Sequence, residues 1–396
     1  MDGMQYIPRS LEDKIKKILD RRKSILLLGP RQTGKSTLLS RTKADISITL
    51  VRPKIRQLYE KSPELLEKEI QAIQVESKNK QPLVFIDEVQ KVPEILDAAQ
   101  YLIDNKDAIF IFTGSSARKL RRNPSTNLLP GRVISLRLDP LTIKELPEAN
   151  LNNLLIYGSL PGIFLTKESK NKEEELESYV TNYLEEEIRS EAIVRNIGSF
   201  GRFLELAASE SGNIINLRKL SQEIGVSHTT INSYYQILED CLIIERIEPI
   251  TKSKVRKKLT KTDKYLFFDL GVRRVAAREG TRQPKENLGK IFEQFIGLEL
   301  IRYSRITDKK LKVCFWRDPD GPEVDWVIDT GSSYIPIEVK WTESPSKSDI
   351  KHIKTFLNEY TNSRFGYLVC QISRKILLDD NIFAIPWTDI TDIFKK

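Results

Sequence analysis

The stretch SILLLGPRQTGKSTLLSRT, residues 24 to 42, limits the possible folds more than any other part of the chain. An apolar run leads into G-x-x-x-x-G-K-S, and a helix-compatible segment follows at once. A buried strand that ends in such a loop and resumes as a helix points successive backbone N–H groups at one spot, where the helix dipole favours an anion. Gly29 and Gly34 permit the turns, Pro30, Arg31, Gln32 and Thr33 form the loop, and Lys35, Ser36 and Thr37 open the helix. Together they read as a phosphate cradle for ATP, with Lys35 reaching the β and γ phosphates and Ser36 ligating Mg²⁺.

LVFIDEVQ, residues 83 to 90, is a second apolar run and ends in adjacent carboxylates. Asp87 is expected to hold the magnesium ion and Glu88 to polarise the attacking water, so the pair points to hydrolysis as well as binding. IFIFTGSS, residues 109 to 116, ends in small hydroxyl residues, of which Thr113 or Ser115 would sense the γ-phosphate. LLPGRV places Arg132 after a loop, as an arginine finger for its own site or a neighbour's. From Ser24 to about Leu146, short apolar runs alternate with helix-compatible segments, which predicts a parallel sheet flanked by helices.

GPRQTGKST, FIDEVQKVP, FTGSSAR and LPGR followed by LDPLTIKEL closely resemble a widespread bacterial and archaeal family of AAA-type ATPases whose members carry an uncharacterised C-terminal region of restriction-endonuclease-like fold. The likeness spans nearly the whole chain and implies an AAA-type ATPase. Two positions depart from the family's habit: Pro130 stands where a small residue is usual, and Ser159, in YGSLPG, where a glycine is usual.

The net charge is +9, and TKSKVRKKLTKTDK, residues 251 to 264, with seven Lys/Arg against one Asp, supplies +6 of it. A concentrated basic run suits a phosphate backbone through counterion release, so nucleic acid, DNA first, is the expected partner. Just before it, NLRKLSQEIGVSHTTINSYYQILED has the apolar spacing of two helices about a GVS turn, and CLIIERI reads as a short strand pair. This is the form of a winged helix-turn-helix, a module that either enters a major groove or packs against protein. His228, Thr229, Thr230, Asn232 and Ser233 occupy the exposed start of its second helix and are the candidates for touching DNA.

Cys241, Cys314 and Cys370 each lie in an apolar stretch, which predicts buried free thiols. No apolar run nears the roughly 18 to 20 residues of a membrane span. The opening MDGMQYIPRSLEDKIKKILD reads as an amphipathic helix and not as a signal segment, so a cytoplasmic protein is expected.

In GPEVDWVIDTGSSYIPIEVKW, residues 321 to 341, Asp325 and Glu338 stand thirteen residues apart on two strand-like runs. Period-two alternation puts Glu338 and Lys340 on one face. Two carboxylates bind Mg²⁺, and a lysine beside them orients a water. Glu293, on the preceding helical stretch GKIFEQFIGLEL, adds a third carboxylate to the metal set. With Pro322 and Glu323 just ahead of Asp325, the pattern is similar to that of PD-(D/E)xK nucleases. The charges form either a working metal site or the remnant of one.

The whole reads as an α/β protein in three parts: a P-loop AAA-type parallel-sheet domain over residues 1–165, a helical and winged-helix middle domain over 166–285, and a C-terminal restriction-endonuclease-like α/β domain over 286–396. The expected function is ATP binding and hydrolysis by a DNA-associated protein whose nucleotide state gates DNA binding or Mg²⁺-dependent cleavage, with a homo-oligomer or protein partner. The rival is a regulatory nucleotide switch that uses a degenerate nuclease-like domain for docking to protein or DNA.

Overall fold

The computed structural model describes residues 6–77, 81–115, 129–146, 148–184, 197–251, 253, 259–307, 309–319 and 321–395. The chain divides into two units, Met1–Pro140 with Asp240–Ile243, and Leu141–Glu239 with Ile244–Lys396. No helix among the described residues is long and apolar enough to cross a membrane.

The first unit is built on strands β1 (Ser24–Leu28), β2 (Ile46–Thr49), β3 (Leu83–Asp87), β4 (Ile109–Gly114) and β5 (Val133–Arg137), in the order β2-β3-β4-β1-β5. Every neighbouring pair is parallel. Side chains alternate across the sheet, so one β1 strand feeds two cores. Leu26 joins Val84, Ile86, Phe110 and Phe112 under the helix Ile95–Asp104. Ile25 and Leu27 face the other way, onto Ile15 and Ile18 of the helix Glu12–Asp20 and Leu38 and Leu39 of the helix Lys35–Ser40. Strand β4 is buried at every position, as a central strand covered on both faces must be. The edge strand β2 was not anticipated: ISIT is short, and its pairing with β3, from Ile46 opposite Val84 to Thr49 opposite Asp87, identifies it.

In the second unit, the helices Leu217–Ile224 and His228–Asp240 meet at a turn where Gly225 has φ +78°, a conformation that strains any residue bearing a Cβ. Leu220, Ile224, Ile231, Tyr235 and Leu238 are buried, and His228, Thr229, Asn232 and Ser233 are exposed. Strands β6 (Ile244–Ile247) and β7 (Lys264–Phe267) pair antiparallel. This corrects the reading of CLIIERI as a strand pair. Seven residues are too few for two strands and a turn, so β6 finds its partner beyond the basic run. Residues 252 and 254–258 of that run lie outside the described residues.

A six-stranded sheet follows, made of β8 (Lys312–Arg317), β9 (Glu323–Asp329), β10 (Tyr334–Val339), β11 (Gly366–Cys370), β12 (Ile376–Asp379) and β13 (Ile382–Pro386), in the order β12-β13-β11-β10-β9-β8. β8, β9 and β10 form an antiparallel meander, while β10, β11 and β13 run parallel. The helix Lys351–Glu359 makes the crossover that the parallel step from β10 to β11 requires. The β12–β13 hairpin was not anticipated. The long helix Lys285–Ile306 lies so close to β9 that a Cβ at Gly297 would meet the Trp326 ring at 2.4 Å. All three cysteines are free and buried.

A buried polar cluster joins the elements of this unit. Asp269 accepts the backbone N–H groups of Ser159 (2.7 Å), Gly271 (2.9 Å) and Val272 (3.1 Å). Arg302 donates to the carbonyls of Leu141 (3.2 Å) and Phe268 (2.8 Å), to Ser159 Oγ (3.0 Å) and to Glu299 Oε1 (2.9 Å). Glu299 also accepts the Ile143 N–H at 2.9 Å. Burial pushes the carboxyls of Asp269 and Glu299 up, against the pull of these partners. Ser159 thus gives its hydroxyl to the cluster, a contact that a glycine there would lack. Gly158, at φ +71°, is where a Cβ would meet Asp269 Oδ1 at 2.0 Å.

Arg302→Met should destabilise the second unit by about 3–5 kcal/mol, because it leaves buried carboxylates uncompensated, and Arg302→Lys should recover only part, lacking the planar fork. Urea unfolding followed by tryptophan fluorescence measures both; the second unit's buried Trp316 and Trp326 supply a signal.

Candidate functional site

At the end of β1 the chain curls tightly. A Cβ at Gly29 would meet the Leu138 carbonyl oxygen at 2.4 Å, so only glycine fits. Gln32 (φ +63°) and Gly34 (φ +90°) turn the loop back on itself and release it into the helix Lys35–Ser40. The Lys35 ammonium is buried inside the curl and donates to the carbonyls of Gly29 (2.8 Å) and Pro30 (2.9 Å), while the Thr33 hydroxyl donates to Pro30 at 3.0 Å. Arg31 is half-buried, and Gln32, Ser36 and Thr37 are exposed. Arg9 braces the loop from outside, donating to the carbonyls of Thr33 and Asp139 at 2.7 Å each. Nothing near Arg9 in the sequence announces this.

Sheet order places β4 between β1 and β3, and so sets Thr113 beside the β3 carboxylates. The Thr113 hydroxyl donates to Asp87 Oδ1 at 2.6 Å and accepts the Glu88 N–H at 3.0 Å. Ser36 Oγ donates to the same carboxylate at 3.2 and 3.3 Å. Glu88 adopts a left-handed backbone, φ +58°, and its Oε2 accepts from Gln90 Nε2 at 2.5 Å and from Ser115 Oγ at 3.3 Å. Gln90 also donates to Ser115 at 3.1 Å. Gln90 escaped the sequence reading although it sits two residues beyond Glu88. Magnesium demands oxygen ligands and keeps several waters, and the adjoining Ser36 hydroxyl and Asp87 carboxylate fit that demand. Arg132 is engaged elsewhere: its guanidinium makes a two-pronged ion pair with Asp104, at 2.7 and 2.9 Å. No hydrogen bond or ion pair among the described residues joins it to the phosphate loop.

The second candidate site lies in the other unit, where β9 and β10 bring Asp325 and Glu338 side by side. Asp325 Oδ2 accepts the Val339 N–H at 2.8 Å. Glu338 is 4% exposed; its Oε1 takes the Lys340 ammonium at 2.8 Å, and its buried Oε2 has no partner. Glu293 faces Lys264 of β7, at 3.4 Å, rather than joining the other two. Lys264 lies over the rings of Phe315 (4.9 Å) and Trp326 (5.6 Å), while Trp326 Nε1 donates to the Glu293 carbonyl at 3.1 Å.

Burial, then the nearby Asp325, pushes Glu293 up to about 7 and Glu338 up to about 8. Burial raises Asp325 too, against the pull of Lys340 and Lys264. Burial opposes the charge of Lys340, but Glu338 and Asp325 outweigh it and hold its pKa above the usual value. Among the described residues no three His, Cys, Asp or Glu side chains gather closely enough to hold a metal ion. The expected set of three carboxylates is therefore not formed. Asp325 with the orphaned Glu338 oxygen is the pair whose donors fit a divalent cation.

Residues 21–147 match the model of the AAA domain family. With the parallel five-stranded sheet and the phosphate loop, they make an AAA-type P-loop domain, a class of nucleotide-binding ATPase. Residues 148–283 and 288–390 match two domains of unknown function, DUF8612 and DUF4143. The chain is 22% identical over 383 residues to the uncharacterized protein Rv2008c of Mycobacterium tuberculosis, covering 96% of this chain and 83% of that one. It is 24% identical over 428 residues to the uncharacterized protein MJ1637 of Methanocaldococcus jannaschii, covering 95% and 86%. Among solved structures, Cdc6p of Pyrobaculum aerophilum is similar at 15% identity, over 71% of this chain and 98% of that one, with a TM-score of 0.29. C. elegans PCH-2 is similar at 16% identity over 59% and 65%, with a TM-score of 0.26. At such scores the superpositions carry no argument, and the class rests on the family match, the loop and the sheet.

Thr113→Val keeps the shape of a fully buried side chain and removes its hydroxyl, leaving the Glu88 N–H and the Asp87 carboxylate each short of one partner. Thermal unfolding should show a loss of about 1–3 kcal/mol.

Proposed function

We propose that this chain binds and hydrolyses ATP in association with DNA, and that its nucleotide state gates DNA binding or Mg²⁺-dependent cleavage in the second unit. The observation that carries the ATPase reading is the Asp87 carboxylate, joined to Ser36 of the phosphate loop and to Thr113, with Glu88 fixed beside it. Lys35 neutralises the β and γ phosphates, Glu88 takes a proton from the attacking water, and Thr113 and Ser115 sense the γ-phosphate. Magnesium held by Ser36 and Asp87 would offset phosphate charge. Arg132, half-buried and engaged by Asp104, serves as an arginine finger for a neighbouring copy in a homo-oligomer.

The association with DNA rests on the basic run that links β6 to β7 and on the exposed start of the helix His228–Asp240. The division into three domains, at about residues 165 and 285, belongs to the same reading, as does a cytoplasmic location. At Asp325 and Glu338 a bound Mg²⁺ would polarise a phosphodiester. Lys340 orients the water there. A second reading has an observation in its favour: each glutamate of this site already has a lysine ammonium against it, Glu338 that of Lys340 and Glu293 that of Lys264. On that reading the unit is a nuclease-like scaffold used for docking to protein or DNA, and the ATPase is a regulatory switch.

ATP hydrolysis is tested by two variants that should fail differently. Lys35→Ala should lose nucleotide affinity, whereas Glu88→Gln should still bind ATP and turn over about tenfold more slowly or worse, the lower range for removing a catalytic base. Unchanged turnover in Glu88→Gln would refute the role given to Glu88.

Cleavage of DNA by the full chain with Mg²⁺ separates the two readings of the second unit. Asp325→Ala should abolish both metal binding and cleavage, and Lys340→Ala should abolish cleavage while the metal still binds. Absence of Mg²⁺ or Mn²⁺ binding by the wild-type protein at Asp325 favours the docking scaffold.

A further inference from the structure

The six-stranded sheet of the second unit carries a cavity of about 650 Å³ where β10 begins. Ligand pockets span roughly 300–1,000 Å³. Tyr334, in its wall, and Glu338 stand four residues apart on β10, about 13 Å at the usual rise of a strand, so this is not the site of Asp325 and Glu338. The floor is apolar: Ile328, Tyr367, Ile393 and Phe394 are buried, and Ile335 is half-buried. The rim is cationic. Lys309, Lys310 and Arg364 are exposed there, and among the described residues the lining holds no Asp or Glu. Lys309 donates to the Phe394 carbonyl at 3.0 Å, whereas Lys310 and Arg364 make no ion pair among the described residues. Phe365, 37% exposed, follows Arg364 on the rim.

Four chain segments ring this floor: the stretch after the helix Lys285–Ile306, the β9–β10 turn, the approach to β11, and Trp387–Lys395. The bond from Lys309 to Phe394 ties the first to the last, and Asn362 Nδ2, donating to the Ser332 carbonyl at 2.9 Å, ties the other two. The bowl is thus held in shape by the protein's own hydrogen bonds. The strands beneath it, β9, β10 and β11, are interior to the sheet and paired on both sides, so no peptide can join here as an added strand. An occupant that lays an apolar part on the floor gains the hydrophobic effect. One that also leaves a negative end among Lys310 and Arg364 gains charge-assisted hydrogen bonds and supplies the counter-charge that the described lining lacks. We propose that this cavity binds a small amphipathic anion, an apolar body that ends in a carboxylate or a phosphate. The site stands independently of the ATPase and nuclease readings, since it shares no residue with either.

The test titrates the full chain by calorimetry with sodium octanoate and with octyl phosphate, both below their micelle concentrations. Acetate, which lacks the apolar body, and octyltrimethylammonium, which reverses the charge, are the controls. Each is repeated on a variant carrying Lys310→Glu and Arg364→Glu, two exposed positions whose reversal should leave thermal unfolding unchanged. Saturable binding of octanoate, octyl phosphate or both at one site, with acetate inert and affinity lowered about tenfold or more in the variant, supports the inference. The tighter of the two then tells whether the head is a carboxylate or a phosphate. The variant should also gain affinity for octyltrimethylammonium, a change of preference that mere damage to the fold would not produce. Should the double variant unfold, Arg364→Gln serves in its place and should weaken the anions about threefold. The inference is overturned if neither anion binds saturably, if acetate or octyltrimethylammonium binds the wild type as tightly as the anions do, or if the substitutions leave anion affinity unchanged.

Discussion

A charge taken out of water must meet an opposite charge or a set of aimed dipoles, and this chain satisfies that condition at Arg302, Asp269 and Arg9. Arg302 meets Glu299, two carbonyls and a hydroxyl, while Asp269 meets three backbone N–H groups. Those partners come from segments around Leu141 and Ser159, around Asp269 and within the helix Lys285–Ile306. Satisfying one guanidinium therefore sets how these segments lie on one another. Arg9 does the same for the phosphate loop, where it meets the carbonyls of Thr33 and Asp139.

In the first unit the order of strands turns this condition into the layout of the candidate site. A parallel sheet leaves the carboxyl ends of its strands along one edge, where ligands bind. With β4 inserted between β1 and β3, the Thr113 hydroxyl lies against Asp87, and Ser36 reaches the same carboxylate from the loop after β1. Glu88 is turned out of strand geometry, and Gln90 and Ser115 hold its side chain. The hydrogen bonds thus fix Asp87, Glu88 and Thr113 relative to one another within the protein alone.

The second unit resolves why charged residues stand in an apolar pleat. Val324, Trp326, Ile337 and Val339 are buried, while Asp325 and Glu338 sit among them, each met by a lysine's charge or a backbone N–H. Lys264 completes the balance from a strand outside the sheet, lying over two aromatic rings. Glu338 Oε2 is left buried without a hydrogen-bond partner among the described residues.

What could be read without the fold was local. GPRQTGKS is contiguous, so its turn and helix start follow from glycine freedom and chain direction; LVFIDE, IFIFTG and the alternation around Asp325 and Glu338 are equally local. Each falls in the element expected of it, β1 with its following helix, β3, β4, β9 and β10. The misses involve partners far apart in the chain. β2 is too short to signal itself, β6 pairs with β7 across the basic run, and Gln90, Arg9 and Lys264 gain meaning only from what they touch. Arg9 and Asp139 are 130 positions apart, and Lys264 and Glu293 are 29 apart. Periodicity and glycine placement act over a few residues, so the chain alone marks β1, β3, β4, β9, β10 and the helix start after the phosphate loop. That Arg132 pairs with Asp104 and Glu293 with Lys264 follows from the fold alone, because the attraction between two charges depends on their separation in space and on the water excluded between them.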